Sequence, residues 1–431
     1  MIDRGIMPEG FSESNFGMSP NNFPQNSEEL FGFHASVLRS LGDAAQQESI
    51  SLYLVGGSVR DLLLKRSIRD LDLVTEGDVT KNSMLLAQAI GAQIGHISQF
   101  GTVKLYTGET VIDMASARLE RYPFPGSLPK VWQGDIQNDL KRRDFTINAM
   151  AVDLVPGRFG EFLDPFNGMN DLNASVVRIL HSRSFIDDPT RILRAIRYET
   201  KLGFSMDSQT KAHAVNGVRF FDSVSGDRIR REFERIFCES HSELMINRMD
   251  DLGALNAILP CLKWSGSMHL ASDLLRKKFG SSDPLHPVAL LASELSKEAS
   301  DSFINRLNMA GIWHRIVLDT IVLRDHVNCL DDQNVPNSRV YQILNGLAIP
   351  AVECWSVLVQ SPRIIGRITE FLDRLRYIKP MLKGNDLINL GVPKGPDIGR
   401  MLDDILLARM DGFISSLAEE ECWVKAKLNR K

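Results

Sequence analysis

The chain has 431 residues, of which 43% are hydrophobic and 24% charged, the composition of an ordinary globular protein of about two to four domains. It contains neither an apolar run of the roughly 18–20 residues that cross a bilayer nor the apolar core of a secretion signal, so we predict a cytoplasmic protein without membrane association. The net charge of −4 argues against a protein that coats nucleic acid non-specifically, and five widely spaced cysteines indicate neither a disulfide framework nor a zinc site.

The first part of the chain changes character near residue 34. Residues 1–33 are rich in Asn, Ser, Pro and Gly without a sustained period, which predicts a disordered leader. From 34 to 155, short apolar runs alternate with helix-like stretches, which predicts a mixed α/β domain. The predicted strands cover 51–55, 69–74, 102–107 and 110–116, and the predicted helices cover 58–65 and 80–92.

Strand patterns fade after about residue 170. Residues 187–204 and 225–237 show helical periodicity with one apolar stripe, and amphipathic helices broken at Gly and Pro continue to the C-terminus. We therefore predict an α+β protein, with an N-terminal α/β domain followed by a long all-helical part.

Two acids interrupt the apolar strand "RDLDLV". Side chains alternate along a strand, so Asp70 and Asp72 point to the same face. Carboxylate pairs suit Mg²⁺, which also takes phosphate oxygens, and paired magnesium ions can activate a hydroxyl and stabilise leaving pyrophosphate. Asp113, within the apolar pattern "TVIDMAS", is a candidate third carboxylate. The alternative is a solvated strand face without function.

A pair of glycines follows the strand at 51–55. Gly56 and Gly57 would let backbone N–H groups approach a triphosphate at the start of the next helix, and Arg60 lies one turn further on. The pattern predicts a turn that holds phosphates beside a strand that holds metal ions. A simple tight turn is the alternative interpretation.

These residues belong to a recognisable series of motifs. "GGSVRD" followed by "DLD" resembles the first motif of class II tRNA nucleotidyltransferases and bacterial poly(A) polymerases, members of the DNA polymerase β-like superfamily. Four further stretches resemble the later motifs of that family in the same order, so that the likeness extends from about residue 52 to 240. These stretches are 139–154, 163–180, 187–204 and 225–237. One departure is Lys65, where many members of the family have glycine.

The resemblance assigns roles to the residues of the first motif. It implies that Asp70 and Asp72 are catalytic metal ligands for Mg²⁺, with Asp113 as the third catalytic carboxylate. It implies that Gly57 and Arg60 contact the nucleoside triphosphate.

The later motifs imply further nucleotide contacts. Arg143 and Asp144 are implied in triphosphate and ribose contact, and Asp188 and Arg191 in hydrogen bonds to the incoming base. Two more arginines on the same predicted helix are implied in nucleotide binding, namely Arg194 and Arg197.

The spacing of this last group has its own physical meaning. Asp188, Arg191, Arg194 and Arg197 recur every three residues, which predicts one slowly rotating stripe on a helix. An aspartate beside an arginine offers acceptors and a fork of donors, which can match a cytosine or an adenine edge without a template. A surface salt bridge is the alternative.

The resemblance also implies a division of labour along the chain. It implies a DNA polymerase β-like nucleotidyltransferase head at 34–155, a helical neck at 156–238 that reads the base, and a helical body and tail at 239–431. The body and tail would hold the tRNA acceptor arm and 3′ end by shape and phosphate contacts.

The implied reaction is CCA addition, in which the RNA 3′-hydroxyl attacks the α-phosphate of CTP or ATP and pyrophosphate leaves. A CC-adding enzyme, an A-adding enzyme and a poly(A) polymerase share these motifs and stay open as alternatives. An RNA-binding protein that has lost catalysis is an alternative of another class.

Overall fold

The computed structural model describes residues 31–68, 70–98, 101–108, 110–280 and 283–429. Residues 1–30, most of the predicted leader, lie outside the described residues. Phe31 is only 2% exposed and packs edge-to-face on Phe159. The chain divides into two compact units, one ending at Val224 and one beginning at Ser225.

The first unit is built on a seven-stranded mixed sheet with the order β3-β4-β5-β2-β1-β8-β9. Strands β1 and β2 are antiparallel, whereas β2 and β5 are parallel. Two small two-stranded sheets, β6-β7 and β10-β11, accompany it. The strands are β1 Leu52–Val55, β2 Asp70–Thr75, β3 Gln93–Ile97, β4 Thr102–Thr107, β5 Thr110–Ser116, β6 Arg118–Arg121, β7 Lys130–Gln133, β8 Ala151–Asp153, β9 Phe162–Leu163, β10 Val176–Val177 and β11 Ser205–Met206.

Alternation of side chains gives the start of β2 and its neighbour β5 one apolar face. Leu71 and Leu73 in β2 and Ile112 and Met114 in β5 are buried. Each buried side chain of this size contributes about 1.5–3 kcal/mol relative to an exposed one. The side chains between them therefore lie on the opposite face, which is where Asp70 and Asp72 are found.

Helices surround the sheet in the first unit. The helix Val79–Ile90 packs on β4 and β5 and begins at Asp78, whose carboxylate accepts from the Thr80 amide. The helices of this unit are α1 Ala35–Gln47, α2 Gly57–Leu63, α3 Val79–Ile90, α4 Ile136–Lys141, α5 Gly168–Asn173, α6 Ser184–Asp187, α7 Thr190–Leu202 and α8 Ser208–Gly217.

The second unit is helical throughout its described residues. One apolar cluster joins buried side chains between Leu323 and Leu375, and a second joins those between Leu382 and Val424. Its helices are α9 Gly226–Phe237, α10 Ser242–Asp251, α11 Ala254–Ile258, α12 Gly266–Phe279, α13 His286–Ser293, α14 Lys297–Arg306, α15 Gly311–His326, α16 Asn337–Leu344, α17 Ile349–Leu358, α18 Pro362–Asp373, α19 Gly384–Asn389, α20 Pro396–Met410 and α21 Leu417–Leu428.

The predicted α+β class is confirmed, and the four predicted strands correspond to β1, β2, β4 and β5. The sequence pattern did not predict β3 or any of the strands from β6 to β11, which are two to five residues long and lack the clear apolar run or alternation of the predicted four. Among the helices of the described chain, none is both long and apolar enough to cross a membrane.

Lys65 has a backbone conformation that glycine adopts more readily than lysine. Its φ is +54°, in the left-handed region that costs an L-residue with a side chain about 1–2 kcal/mol. The chain makes the turn after α2 in spite of that cost, with the Lys65 amide bonded to the Leu62 carbonyl at 2.9 Å.

Candidate active site

The glycine turn lies between β1 and α2. Gly56 precedes the helix with φ +67°, a conformation that glycine adopts without strain. A Cβ atom at Gly56 would also collide with Nη1 of Arg143. A Cβ at Gly57 would meet only ordinary contacts, including Asp72 Oδ2 at 3.8 Å. Gly56 is therefore required for two reasons, the backbone turn and the close approach of Arg143.

Three carboxylates lie on neighbouring strands beside this turn. Asp72 in β2 is the register partner of Asp113 in the parallel strand β5, so both side chains leave the same face of the sheet. Asp70 lies two residues earlier on that face, and both Asp70 and Asp72 are exposed. The structure thus brings together the three carboxylates that the sequence singled out.

Ser58 joins the turn to the carboxylates. Its hydroxyl accepts from the Asp72 amide at 2.9 Å. The same hydroxyl lies 3.2 Å from the Asp70 carbonyl and 3.4 Å from Asp72 Oδ2, to either of which it can donate. This bridge fixes the first turn of α2 against the start of β2.

The surroundings of Asp72 favour its protonated form. Although the residue keeps an exposed surface, the protein atoms around its carboxyl raise the pKa, and the charges of Asp113 and Asp70 raise it further. Arg143 acts in the opposite direction. A divalent cation would relieve the mutual repulsion of the carboxylates, and oxygen donors are the ligands that Mg²⁺ prefers. The donor set therefore fits a hard divalent ion.

Asp113 is already bound to a cation of the protein. The Lys104 ammonium lies 2.6 Å from one carboxylate oxygen of Asp113 and 2.7 Å from the other. The hydrogen bond to Asp113 raises the pKa of Lys104 and keeps it charged. In the described part of the chain, no three His, Cys, Asp or Glu side chains are arranged to hold a metal ion as they stand.

Arg60 lies in the interior, where it is 6% exposed. Its Nε donates to Asp61 at 2.9 Å and its Nη1 to Asn148 Oδ1 at 2.6 Å, while the guanidinium covers the ring of Tyr198 at 5.0 Å. These contacts hold the Arg60 side chain against the protein interior next to the glycine turn. The triphosphate contact of Arg60 stays a prediction.

Arg143 is positioned by Asp139, one helical turn before it. Asp139 is fully buried and accepts from Arg143 at 2.8 Å and from Arg142 at 2.5 Å. Burial alone would raise the pKa of Asp139, but the charges of Arg143 and Arg142 outweigh it and lower the pKa. Arg143 is thereby held beside the glycine turn.

Asp144 is buried and engaged on all sides. Its carboxylate accepts from Arg194 Nε at 2.8 Å, from Asn148 Nδ2 at 2.9 Å and from the Phe145 amide at 2.9 Å. Burial opposes ionisation, but Arg194 and Asn148 hold the pKa of Asp144 well below its ordinary value. In this arrangement Asp144 orders Arg194, and its contact with the ribose or triphosphate stays a prediction.

The predicted stripe is correct for the three arginines and wrong for Asp188. Helix α7 begins at Thr190, and Asp188 precedes it in extended backbone with φ −138° and ψ 94°. The reason is Pro189, since a residue before proline is disfavoured in the helical conformation. The Asp188 carboxylate accepts from the Thr190 amide at 3.0 Å and its hydroxyl at 2.6 Å.

Arg191 lies on the buried side of α7. It donates to Ser184 Oγ at 2.8 Å and to the Arg142 carbonyl at 2.8 Å, and its guanidinium lies 5.9 Å from the Tyr122 ring. Arg197 lies on α7 as predicted, with its guanidinium 5.2 Å from the ring of Tyr198. Base recognition by Asp188 and Arg191 stays a prediction.

Sequence reasoning missed the residues that position the predicted ones. They are Ser58, Lys104, Asp139, Asn148 and Tyr198. Spacing was the only signal for Asp139 and Asn148, which stand four residues from Arg143 and Asp144 respectively within one motif. Lys104 gave no signal, because an outward lysine on a strand is ordinary.

Two regions of the chain match known protein families. Residues 52–178 match the family "Poly A polymerase head domain", and residues 203–264 match "Probable RNA and SrmB- binding site of polymerase A". An A-adding tRNA nucleotidyltransferase of Geobacter sulfurreducens is 32% identical over 89% of this chain and 46% of its own length. That of Halalkalibacterium halodurans is 31% identical over 84% of this chain and 85% of its own length. The chain thus spans less than half of the Geobacter protein.

Solved structures agree with these relatives. A CCA-adding enzyme in an apo form matches with a TM-score of 0.77 at 28% identity, covering 91% of this chain and 95% of that one. The Thermotoga maritima CCA-adding enzyme complexed with tRNA matches with a TM-score of 0.73 at 27% identity, covering 93% of this chain and 98% of that one. Motifs, fold and relatives coincide, and the chain belongs to the tRNA nucleotidyltransferase family that includes A-adding and CCA-adding enzymes.

Proposed function

We propose that this chain is a template-independent nucleotidyltransferase that adds C and A, from CTP and ATP, to the 3′ end of tRNA. The observation that carries the proposal is the register pairing of Asp72 with Asp113, on the face that also presents Asp70, directly beside the glycine turn. The Thermotoga enzyme with tRNA and a CCA-adding enzyme solved with CTP support the choice of substrates.

Nucleotidyltransferases of this family generally use divalent metal ions, and we infer Mg²⁺ held by Asp70 and Asp72. Bound there, Mg²⁺ would activate the attacking hydroxyl and stabilise the negative charge of the leaving pyrophosphate. The protein's own contribution is to keep two carboxyl groups on one face at the start of β2, with Ser58 fixing the backbone of Asp72.

The reacting groups are placed by residues around the turn. The RNA 3′-hydroxyl attacks the α-phosphate of the nucleotide in line with the departing pyrophosphate. Backbone N–H groups after Gly56 and the guanidinium of Arg143 supply positive charge on the triphosphate side, because Asp139 holds Arg143 beside the turn. Electrostatic positioning of this kind is the main contribution that proteins make to phosphoryl transfer.

Base selection is assigned to Asp188 and Arg191. A carboxylate and a guanidinium together can match the edges of cytosine and adenine. Thr190 holds the Asp188 carboxylate at the start of α7, and Ser184 holds Arg191 one turn further along. The helical residues 239–431 are proposed to hold the tRNA, and the family match over 203–264 supports RNA contact at the beginning of that part.

An A-adding enzyme is the second candidate function. The relatives from Geobacter and Halalkalibacterium, at 32% and 31% identity, are both A-adding tRNA nucleotidyltransferases. Such an enzyme would use the same carboxylates and the same turn, and would differ only in accepting an RNA that already ends in CC.

An incorporation assay separates the candidates. Transcripts of one tRNA ending at the discriminator base, at C and at CC are incubated with Mg²⁺ and CTP, ATP or both, and the products are sized. Growth of all three to a CCA end, followed by a stop, is the expected result. Extension of the CC-ended RNA alone would establish an A-adding enzyme, and growth that halts at CC a CC-adding one.

Two other outcomes would contradict the proposal more deeply. Long A tails on unrelated RNA would indicate a poly(A) polymerase. RNA binding without incorporation of either nucleotide would indicate a protein of this fold that has lost catalysis. Asp70→Asn with Asp72→Asn, assayed in parallel, identifies any incorporation that does not depend on the carboxylates.

A further inference from the structure

Lys104 occupies an unexpected place in the first unit. It is the register partner of Asp113 in the antiparallel pair β4-β5, while Asp113 is the register partner of Asp72 in the parallel pair β2-β5. Directly opposite residues point to the same face of a sheet. Lys104, Asp113 and Asp72 therefore form one row across three adjacent strands, with the cation at its end.

The contact of Lys104 with Asp113 involves both carboxylate oxygens, at 2.6 Å and 2.7 Å. A metal ion that used Asp113 would need at least one of those oxygens. Two cations that share one carboxylate repel each other, so the ammonium must yield part of its contact when a divalent ion arrives.

We propose that Lys104 is a built-in counter-ion of the carboxylate row, which neutralises Asp113 while the site is empty and competes with the divalent metal ion for it. The inference rests on the proposed metal-binding function of Asp70 and Asp72. Lys104 thereby sets the metal concentration at which the site fills, and it acts as a positioning residue because it touches the third carboxylate and not the reacting atoms.

The size of the effect follows from solvent exposure. The side chains of Lys104 and Asp113 are 43% and 35% exposed, so water screens their attraction. Ion pairs this exposed change an equilibrium by a factor of about two to five. Removal of the Lys104 charge should therefore lower the dissociation constant for a divalent ion by about two- to fivefold.

Mn²⁺ serves as the probe, because its free form is counted directly by electron paramagnetic resonance and no turnover is needed. The full-length protein, without nucleotide or RNA, is titrated with Mn²⁺ as wild type, Lys104→Met and Lys104→Arg. The methionine variant should bind about two- to fivefold more tightly, and the arginine variant should bind as the wild type does. Lys81→Met, at an exposed position on α3, is the control for a loss of one positive charge elsewhere.

A second comparison tests the pathway of the effect. With Asp113→Asn as the starting protein, the further change Lys104→Met should not alter Mn²⁺ binding, because the carboxylate for which the two cations compete is gone. An equal gain with or without Asp113 would overturn the inference.

The remaining outcomes are decisive in other ways. Unchanged or weaker Mn²⁺ binding by Lys104→Met, or an equal gain in Lys81→Met, would overturn the role of Lys104 alone. An Asp70→Asn, Asp72→Asn protein that binds Mn²⁺ as well as the wild type does would instead overturn the metal site and, with it, the proposed function.

Discussion

Two groups of aspartates in the first unit occupy opposite surroundings. Asp70 and Asp72 are exposed on β2, and the pKa of Asp72 is raised, mainly by the protein atoms around its carboxyl and further by the charges of Asp113 and Asp70. Asp139 and Asp144 are buried, and arginines lower the pKa of each. The residue type is the same, but the first group has other carboxylates among its neighbours and the second is paired with arginines.

The difference separates two uses of a carboxylate. Carboxylates that lie close together without enough neighbouring cations repel each other, and a bound external cation stabilises them. Buried carboxylates that are paired with arginines stabilise the fold, because removing one partner leaves the other without its counter-charge. We therefore expect substitutions in the first group to affect chemistry without loss of stability, and substitutions in the second to lower stability.

The largest effect should come from the exposed pair. Asp70→Asn with Asp72→Asn should reduce nucleotide incorporation by about 10³-fold or more, since metal assistance supplies several kcal/mol of transition-state stabilisation. The melting temperature should not fall, because repulsion is removed along with the charges. Single-turnover incorporation and thermal unfolding measure the two effects. Asp43→Asn with Glu48→Gln, a matched loss of two exposed charges, should leave incorporation intact, and a loss of less than tenfold in the β2 variant would contradict the assignment.

The buried group should respond in the opposite way. Asp144→Ala should lower the free energy of unfolding by about 1–3 kcal/mol, because it removes the ion pair with Arg194 and the buried acceptor of Asn148 Nδ2 and the Phe145 amide. Urea-induced unfolding measures the loss. Asp404→Ala, which breaks the exposed pair with Lys427, should cost less than about 1 kcal/mol. Equal losses of unfolding free energy in the two variants would contradict the distinction between a buried and an exposed ion pair.

A substitution at Gly56 tests the two requirements on the glycine turn, namely its backbone conformation and the close approach of Arg143. Gly56→Ala should cost about 1–3 kcal/mol, because φ +67° with ψ −128° is a conformation that residues with a side chain rarely adopt. It should also raise the KM for CTP, because the new methyl group displaces Arg143. Gly91→Ala is a control for a positive φ alone, since Gly91 has φ +66° with ψ +28° and nothing lies within 4 Å of a Cβ placed there. The control should lose about 1–2 kcal/mol for its left-handed backbone and keep its KM. A raised KM in both variants would refute the role of Arg143.

The smallest effect concerns pH and sharpens the comparison. Asp72 has a raised pKa in the folded protein, so the folded state holds its proton more strongly than the unfolded chain, and stability falls as pH rises through that window. Asp72→Asn should therefore be slightly more stable than the wild type at pH 7, by less than about 1 kcal/mol after solvent screening. The gain should vanish below about pH 4, where the unfolded carboxyl is also protonated.

Thermal unfolding at several pH values follows this gain. Asp43→Asn, at an exposed position of α1, is the control. A gain that persists unchanged at low pH would show that the charge of Asp72 is not its cause.

Several features of the site could be predicted from local sequence. Alternation in "RDLDLV" placed Asp70 and Asp72 on one face, and the glycine pair marked a turn before a helix. The same reasoning failed at Asp188, where a three-residue spacing suggested one helix and Pro189 delays its start to Thr190. Spacing reports a face only if the whole stretch shares one conformation.

What the sequence by itself determined is the positions of β1, β2, β4 and β5, the α+β class and the motifs that mark the family, because periodicity and turn residues are local properties of the chain. Only the tertiary structure decided the partners. Register between β2, β4 and β5 places Asp72, Asp113 and Lys104 in one row, and burial joins Asp144 to Arg194 fifty residues away. Pairing across such distances depends on strand register and packing, and no local pattern specifies it.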